Sequence, residues 1–133
     1  MSKRVLITGG NKGIGLAVSR AMLEFGYEVI IVARDFNTCP IVGVKNVIAI
    51  EYDLSDVDGL PELAKTVGNI DILINNAGYM QPKYTYNNYP KEARDHIMNV
   101  DLYTPIELMN IFSEHMKKQK YGRIVNTASI AGQ

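Results

Sequence analysis

Eight residues near the start of the chain, Thr8-Gly9-Gly10-Asn11-Lys12-Gly13-Ile14-Gly15, have the types and spacing to hold a phosphate. Glycine permits a tight turn at positive φ and lets an anion approach bare backbone. A helix opening directly behind such a loop adds unpaired N–H groups and the positive end of its dipole. This string follows an apolar run and opens a helical pattern, the setting in which a glycine-rich loop counts as more than a turn. No Gly-Lys-Ser/Thr closes it, so it is not a Walker A loop. Lys12 puts a mobile cation inside the loop, and Arg34, after the second apolar run, carries a planar fork suited to phosphate. Cys39 is the single cysteine. His96 and His115 have no Cys or carboxylate cluster beside them, so no metal site is expected and both read as surface or packing residues.

The elements that must position these groups alternate between short apolar runs and helical stretches, the pattern of a parallel sheet covered on both faces. Arg4–Thr8, Glu28–Ala33, Asn46–Glu51, Asp71–Asn75 and Gly122–Thr127 read as five strands. Residues 13–25 read as a helix with Ile14, Ala17, Val18, Ala21 and Met22 on one stripe and Gly26 closing it. The link 34–45 has room for at most a turn of helix. Ser55 is placed to cap a short segment, with Pro61 near the start of the next helix and Gly68 ending it. Two helices follow, about 90–100 and 104–118. The second is expected to bury Ile106, Leu108, Met109, Ile111, Phe112 and Met116, with Lys117, Lys118 and Lys120 at its negative dipole end.

The chain's 133 residues make one domain's worth, spanning 1–133. Apolar residues make up 47% and charged residues 21%, an ordinary globular balance. Fourteen Lys and Arg against fourteen Asp and Glu argue against a nucleic-acid footprint or a polybasic membrane surface. The apolar run Val5-Leu6-Ile7 is too short for a signal peptide or a membrane span, so a cytoplasmic location is expected.

Four landmarks in order carry a resemblance: Thr-Gly-x-x-x-Gly-x-Gly at 8–15, Asp53 after the third strand, Asn75-Asn76-Ala77-Gly78 after the fourth, and Ser129 after the fifth. Together they resemble the short-chain dehydrogenase/reductase family. The resemblance implies an α/β fold of the Rossmann type, a doubly wound parallel sheet of which about five strands are present. It implies hydride transfer between a nicotinamide cofactor and the carbonyl or hydroxyl carbon of a small molecule. Thr8, Asn11 and Lys12 belong to the implied cofactor set. Gly9, Gly13 and Gly15 would cradle the pyrophosphate, with Ile14 near the nicotinamide end. Asp53 would meet the adenine amino group and Leu54 its ring, while Asn75, Ala77 and Gly78 would brace the central strands and line the ribose side.

Cofactor choice turns on the end of the second strand. A carboxylate there bonds the ribose 2′-hydroxyl of NAD, whereas a nearby arginine accommodates the 2′-phosphate of NADP. Ala33 cannot accept a hydrogen bond and Arg34 follows it, so NADP is expected, with NAD as the alternative. Asp35, twenty residues after Gly15, is the competing signal and is expected to point outward.

In the family, Ser129 would polarise the substrate oxygen and a tyrosine about a dozen residues later would be the acid/base. A lysine four residues beyond it lowers its pKa, since a free tyrosine titrates near ~10. The sequence given stops four residues past Ser129. Tyr79 and Lys83 match that spacing formally, but Pro82 disfavours the helix the pairing needs. Tyr84, Tyr86 and Tyr89 read as loop aromatics. Asp101 falls where the family often has an asparagine that holds a water, and a structural role is as compatible with its place near a helix join. The expectation is therefore the N-terminal, cofactor-binding part of a homo-oligomeric oxidoreductase, inactive by itself, with an open apolar edge at the fifth strand that invites association. The alternative is a non-catalytic NAD(P)(H)-binding module or sensor.

Overall fold

The structure, a computed structural model, describes residues 2–78, 85 and 87–128. Alternation with a period of two builds its sheet. In β1 (Arg4–Thr8), β2 (Glu28–Ala33) and β4 (Ile72–Asn75), odd and even apolar residues face opposite sides and all are buried. Val5, Ile7, Val29, Ile31 and Ile74 pack on one face with Cys39, Ile41 and the inner side of α1 (Gly13–Glu24). Leu6, Ile30, Val32 and Leu73 pack on the other, against α2 (Leu60–Val67) and α4 (Thr104–Gln119). The edges are β3 (Val47–Glu51) and β5 (Arg123–Asn126), and the parallel order is β3-β2-β1-β4-β5. The chain builds outward from β1 in one direction and then in the other, so a crevice opens between the ends of β1 and β4.

The strands begin and end within a residue of their expected limits. β3 starts one residue late because Asn46 turns into the left-handed region (φ 71°) while its carbonyl accepts the Val29 N–H at 2.8 Å. No helix forms in 34–45.

Three expectations change. The buried side of α1 is formed by Gly15 and Ser19, with Leu16, Val18 and Met22 packed partly against the core; Ile14 and Ala17 face outward. Ser19 satisfies itself by donating to the Gly10 and Gly15 carbonyls at 3.1 and 2.9 Å, so a polar residue sits where an apolar stripe was expected. Ser55 does not cap a helix. It donates to Asp53, and Gly59 stands at the N-cap of α2.

The third change concerns the two later helices. α3 (Lys91–Met98) and α4 are one continuous helical run, joined by a π turn at Asn99–Tyr103, and the Thr104 N–H donates to the Asn99 carbonyl five residues back. Pro105 explains the widening: it has no N–H for the Asp101 carbonyl, and its ring would strike that carbonyl in a regular α-helix. Leu108, Phe112 and Met116 are the buried side of α4, with Met109 and Ile111 partly covered, while Ile106 lies outward. Among the described residues no helix is long and apolar enough to cross a membrane.

Candidate nucleotide-binding cleft

A cleft of about 400 Å³ opens at the carboxyl ends of the strands, where β1 and β4 diverge. Its floor is the glycine loop. The Gly9 N–H continues the sheet ladder by donating to the Val32 carbonyl at 2.8 Å, and Gly9 itself takes φ +67°. A Cβ there would lie 3.0 Å from the Ala77 backbone, so only glycine lets the loop lie against the segment after β4. Gly15 is tighter still: a Cβ would overlap the Gly9 carbonyl and come within 2.5 Å of Asn76 Nδ2. Gly15 is buried beneath the loop and does not line the cleft, so it seats α1 against the loop rather than cradling a ligand. Gly13 does line the cleft, at φ +56°, and among the described residues no atom lies within 4 Å of where its side chain would be.

Directly behind Gly13, the first turn of α1 has no capping side chain and no acidic residue. Gly13 and Ile14 bring the start of the helix to the cleft, while the Leu16 N–H donates to the Lys12 carbonyl at 3.1 Å. Lys12, at the N-cap, and Ile14, 71% exposed, line the cleft on either side of Gly13.

Thr8 and Asn75 were expected among the binding residues, yet both are buried and neither lines the cleft. Thr8 Oγ1 accepts the N–H groups of Asn76 and Ala77, each at 3.0 Å, clamping β1 to the segment after β4. Asn75 Nδ2 donates to Asn126 Oδ1 at 2.9 Å and ties β4 to β5; its Oδ1 is buried without a partner. The polar face toward the cleft belongs instead to Asn76, whose amide donates to the Gly9 carbonyl at 3.3 Å and accepts from Thr127 Oγ1 at 3.2 Å. Ala77 and Gly78 line the cleft beside it.

Arg34 lines the side wall after β2, and Asn11 pins that loop by donating from Nδ2 to the Asp35 carbonyl at 2.9 Å. Asp35 belongs to the same wall through a backbone carbonyl turned to Asn11, while the residue itself is exposed and the Asn37 N–H approaches its carboxylate at 3.4 Å.

Asp53 and Leu54 form the wall after β3. The Asp53 carboxyl is held below the usual carboxylate range, first by the Ser55 N–H (3.0 Å) and hydroxyl (2.7 Å), then by the charges of His96 and Arg34; slight burial opposes them. Leu54 is buried, and its carbonyl accepts from Thr104 Oγ1 at 2.6 Å. Tyr52 is pushed up to about 12 by burial and by Asp56, Asp53 and Asp58, and its hydroxyl donates to the Asp56 carbonyl at 2.5 Å. It is no base at neutral pH.

His96, read from sequence as a surface or packing residue, lines the cleft one helical turn before Val100, which lines it too. The i, i+4 spacing was visible, but the face of α3 that meets the cleft is set by packing. Asp101 is exposed on the π turn outside the cleft lining, its Oδ1 3.9 Å from where a Gly78 Cβ would lie. Ser129, Tyr79, Lys83, Tyr84 and Tyr86 lie outside the described residues. Tyr89 is half-buried. Among the described residues no group of three His, Cys, Asp or Glu could hold a metal.

Comparison with known proteins agrees with this geometry. The family profile described as short chain dehydrogenase matches residues 3–133. A ketoacyl reductase, HetN, of Nostoc sp. is 35% identical over 98% of this chain and 49% of its own length. A metagenomic short-chain oxidoreductase solved in complex with NADP superposes with a TM-score of 0.86 at 26% identity, over 98% of this chain and 63% of that one. A 4-hydroxyisoleucine dehydrogenase mutant complexed with NADH and succinate gives 0.88 at 26% identity, over 98% and 56%. The chain spans about half the length of the curated relatives it matches. With its glycine loop, parallel sheet and matched profile, the chain belongs to the short-chain dehydrogenase/reductase family.

Proposed function

We propose that this chain binds NADP(H) in the cleft between β1 and β4 and is the cofactor-binding part of an oxidoreductase. Bound there, the nicotinamide would exchange a hydride with the carbonyl or hydroxyl carbon of a small molecule. The observation that carries this reading is the uncapped N-terminus of α1, opening onto the cleft behind Gly13 with no acid in its first turn. Gly9 and Gly13 would admit the pyrophosphate to the backbone, and Gly15 would hold the helix close enough to present its amides.

Arg34 and Lys12 favour the 2′-phosphate, and the side chain of Ala33 cannot accept a ribose hydroxyl. Asp35 in the same wall is the competing group for NAD, and the relatives' structures include both an NADP and an NADH complex. Fluorescence titration decides between them. NADPH is expected to bind more tightly than NADH, and Arg34→Ala to weaken NADPH about 10- to 100-fold, the range of one charge-assisted hydrogen bond, with NADH little changed. Tighter NADH binding by the unaltered chain would overturn the NADP assignment.

In the complete reaction, Ser129 is the candidate to polarise the substrate oxygen, and Asp101, on the rim beside Gly78, the candidate to hold a water. The alternative reading is a nicotinamide-dinucleotide-binding module without turnover. Turnover assays separate the two: the chain by itself is expected to bind NADPH and reduce no ketone, while a form extended by about 120 residues is expected to do both. We also place the protein in the cytoplasm and read the extended form as a homo-oligomer.

A further inference from the structure

We infer that Thr127 is a positioning residue: through the Asn76 amide it ties the end of β5 to the glycine loop. A nucleotide held on that loop would then steady the segment that leads, two residues on, to Ser129. The inference rests on the dinucleotide reading above. Gly9, Asn76 and Thr127 all line the cleft, at the ends of β1, β4 and β5. Asn76 Nδ2 donates to the Gly9 carbonyl at 3.3 Å, and Thr127 Oγ1 donates to Asn76 Oδ1 at 3.2 Å. The direction of this chain of bonds is fixed at the loop. A carbonyl only accepts, so it must meet the amide nitrogen, and the amide oxygen is left to accept from the hydroxyl.

The two ends of the chain differ in stiffness. The Gly9 carbonyl lies directly against Gly15, the Gly9 N–H is bonded to Val32, and the Asn76 N–H is held by Thr8 Oγ1 at 3.0 Å. Thr127 is exposed at the end of an edge strand, and its N–H donates to the Asn75 carbonyl at 2.9 Å. A thinly covered strand end opens more readily than a closed core. The Thr127 hydroxyl carries the order of the loop to this softer end. A ligand that binds the loop better with the bond made than with it broken shifts the strand end toward its closed state, and the coupling is reciprocal. Asn126 provides the contrast: its Oδ1 accepts from Asn75 Nδ2 at 2.9 Å, a tie that runs to β4 and not to the loop.

The test is amide hydrogen exchange, read by NMR on the chain with and without saturating NADPH. NADPH is expected to slow exchange of the Thr127 N–H about 5-fold, the scale of one neutral hydrogen bond. The Arg123 N–H, bonded to Asp71 at the other end of β5, should change little. Thr127→Val keeps the shape and removes the hydroxyl, so the slowing at residue 127 should shrink below about 2-fold, and NADPH should bind weaker by no more than about 5-fold. Thr127→Ser restores the hydroxyl and should recover the slowing. Asn126→Ala should speed exchange at Thr127 in both states and keep their ratio, since it loosens the strand without cutting the link to the loop. If Thr127→Val is slowed as much as the unaltered chain, if Asn126→Ala loses the ratio as fully as Thr127→Val, or if the unaltered chain binds NADPH with no slowing, this inference alone is overturned. If the unaltered chain binds neither NADPH nor NADH, the dinucleotide reading falls and takes this one with it.

Discussion

β1 and β5 flank the same strand, β4, and carry similar apolar cores, Val-Leu-Ile and Ile-Val. Val5, Leu6 and Ile7 are fully buried, whereas Ile124 and Val125 remain 38% and 50% exposed. The difference comes from neighbours. β1 has a strand on each side and packed side chains on both faces; among the described residues β5 has β4 on one side only. The loop after β1, which would hold the pyrophosphate, thus rides on a closed core and is locked by Thr8 and Asn76. Thr127, which leads toward Ser129, leaves an exposed edge. Among the described residues, the strand that carries the glycine loop is braced on both sides and the strand that leads toward Ser129 on one.

The largest effect that would sharpen this contrast is Gly15→Ala. Its methyl would be driven into the Gly9 carbonyl, so a loss of about 3 kcal/mol in denaturant melts and of measurable NADPH binding is expected. Thr8→Val preserves shape but strips an acceptor from two N–H groups, and about 2 kcal/mol should be lost. At the other side, Val125→Lys should cost within about 0.5 kcal/mol, because the side chain is half exposed. The same change should abolish self-association seen by sedimentation velocity, since a charged edge resists strand addition. A Val125→Lys variant that melted as early as Thr8→Val would break the comparison.

The smallest effect is electrostatic. Because the folded-state pKa of Asp53 is lowered, its contribution is present above the unfolded carboxylate value near ~3.9 and lost as pH falls through the lower folded value. Ser55→Ala removes the hydroxyl bond to Oδ1 and keeps the backbone N–H bond, so carbon-detected NMR titration should show the Asp53 carboxyl moving part of the way up toward its ordinary value. Stability above about pH 5 should fall slightly in this variant, and the difference should vanish as pH drops below the folded value.

The parallel sheet was legible in the sequence because continuous β-branched runs such as Glu28–Ala33 can be buried on both faces only in that arrangement. The glycine loop was legible for a related reason: positive φ and close backbone approach exclude other residues at Gly9, and the requirement is written locally. Even the π turn had a local sign in Pro105, whose missing N–H and ring disfavour a regular α-helix across Asp101.

Division of labour within the loops was not legible. Gly9, Gly13 and Gly15 look alike as letters, yet one closes against Ala77, one opens into the cleft and one lies buried beneath it. Adjacent asparagines diverge in the same way, Asn75 turning into the sheet and Asn76 toward the cleft, because side chains alternate along a strand and its extension. His96 carried no local mark at all, since its place in the wall depends on how the α3–α4 helix is docked through Thr104 on Leu54. The sequence by itself thus determined the elements and the backbone conformations that only certain residues tolerate. Which side chains meet across the cleft was decided by tertiary packing, because contacts between residues some fifty positions apart have no signature in the local pattern of either partner.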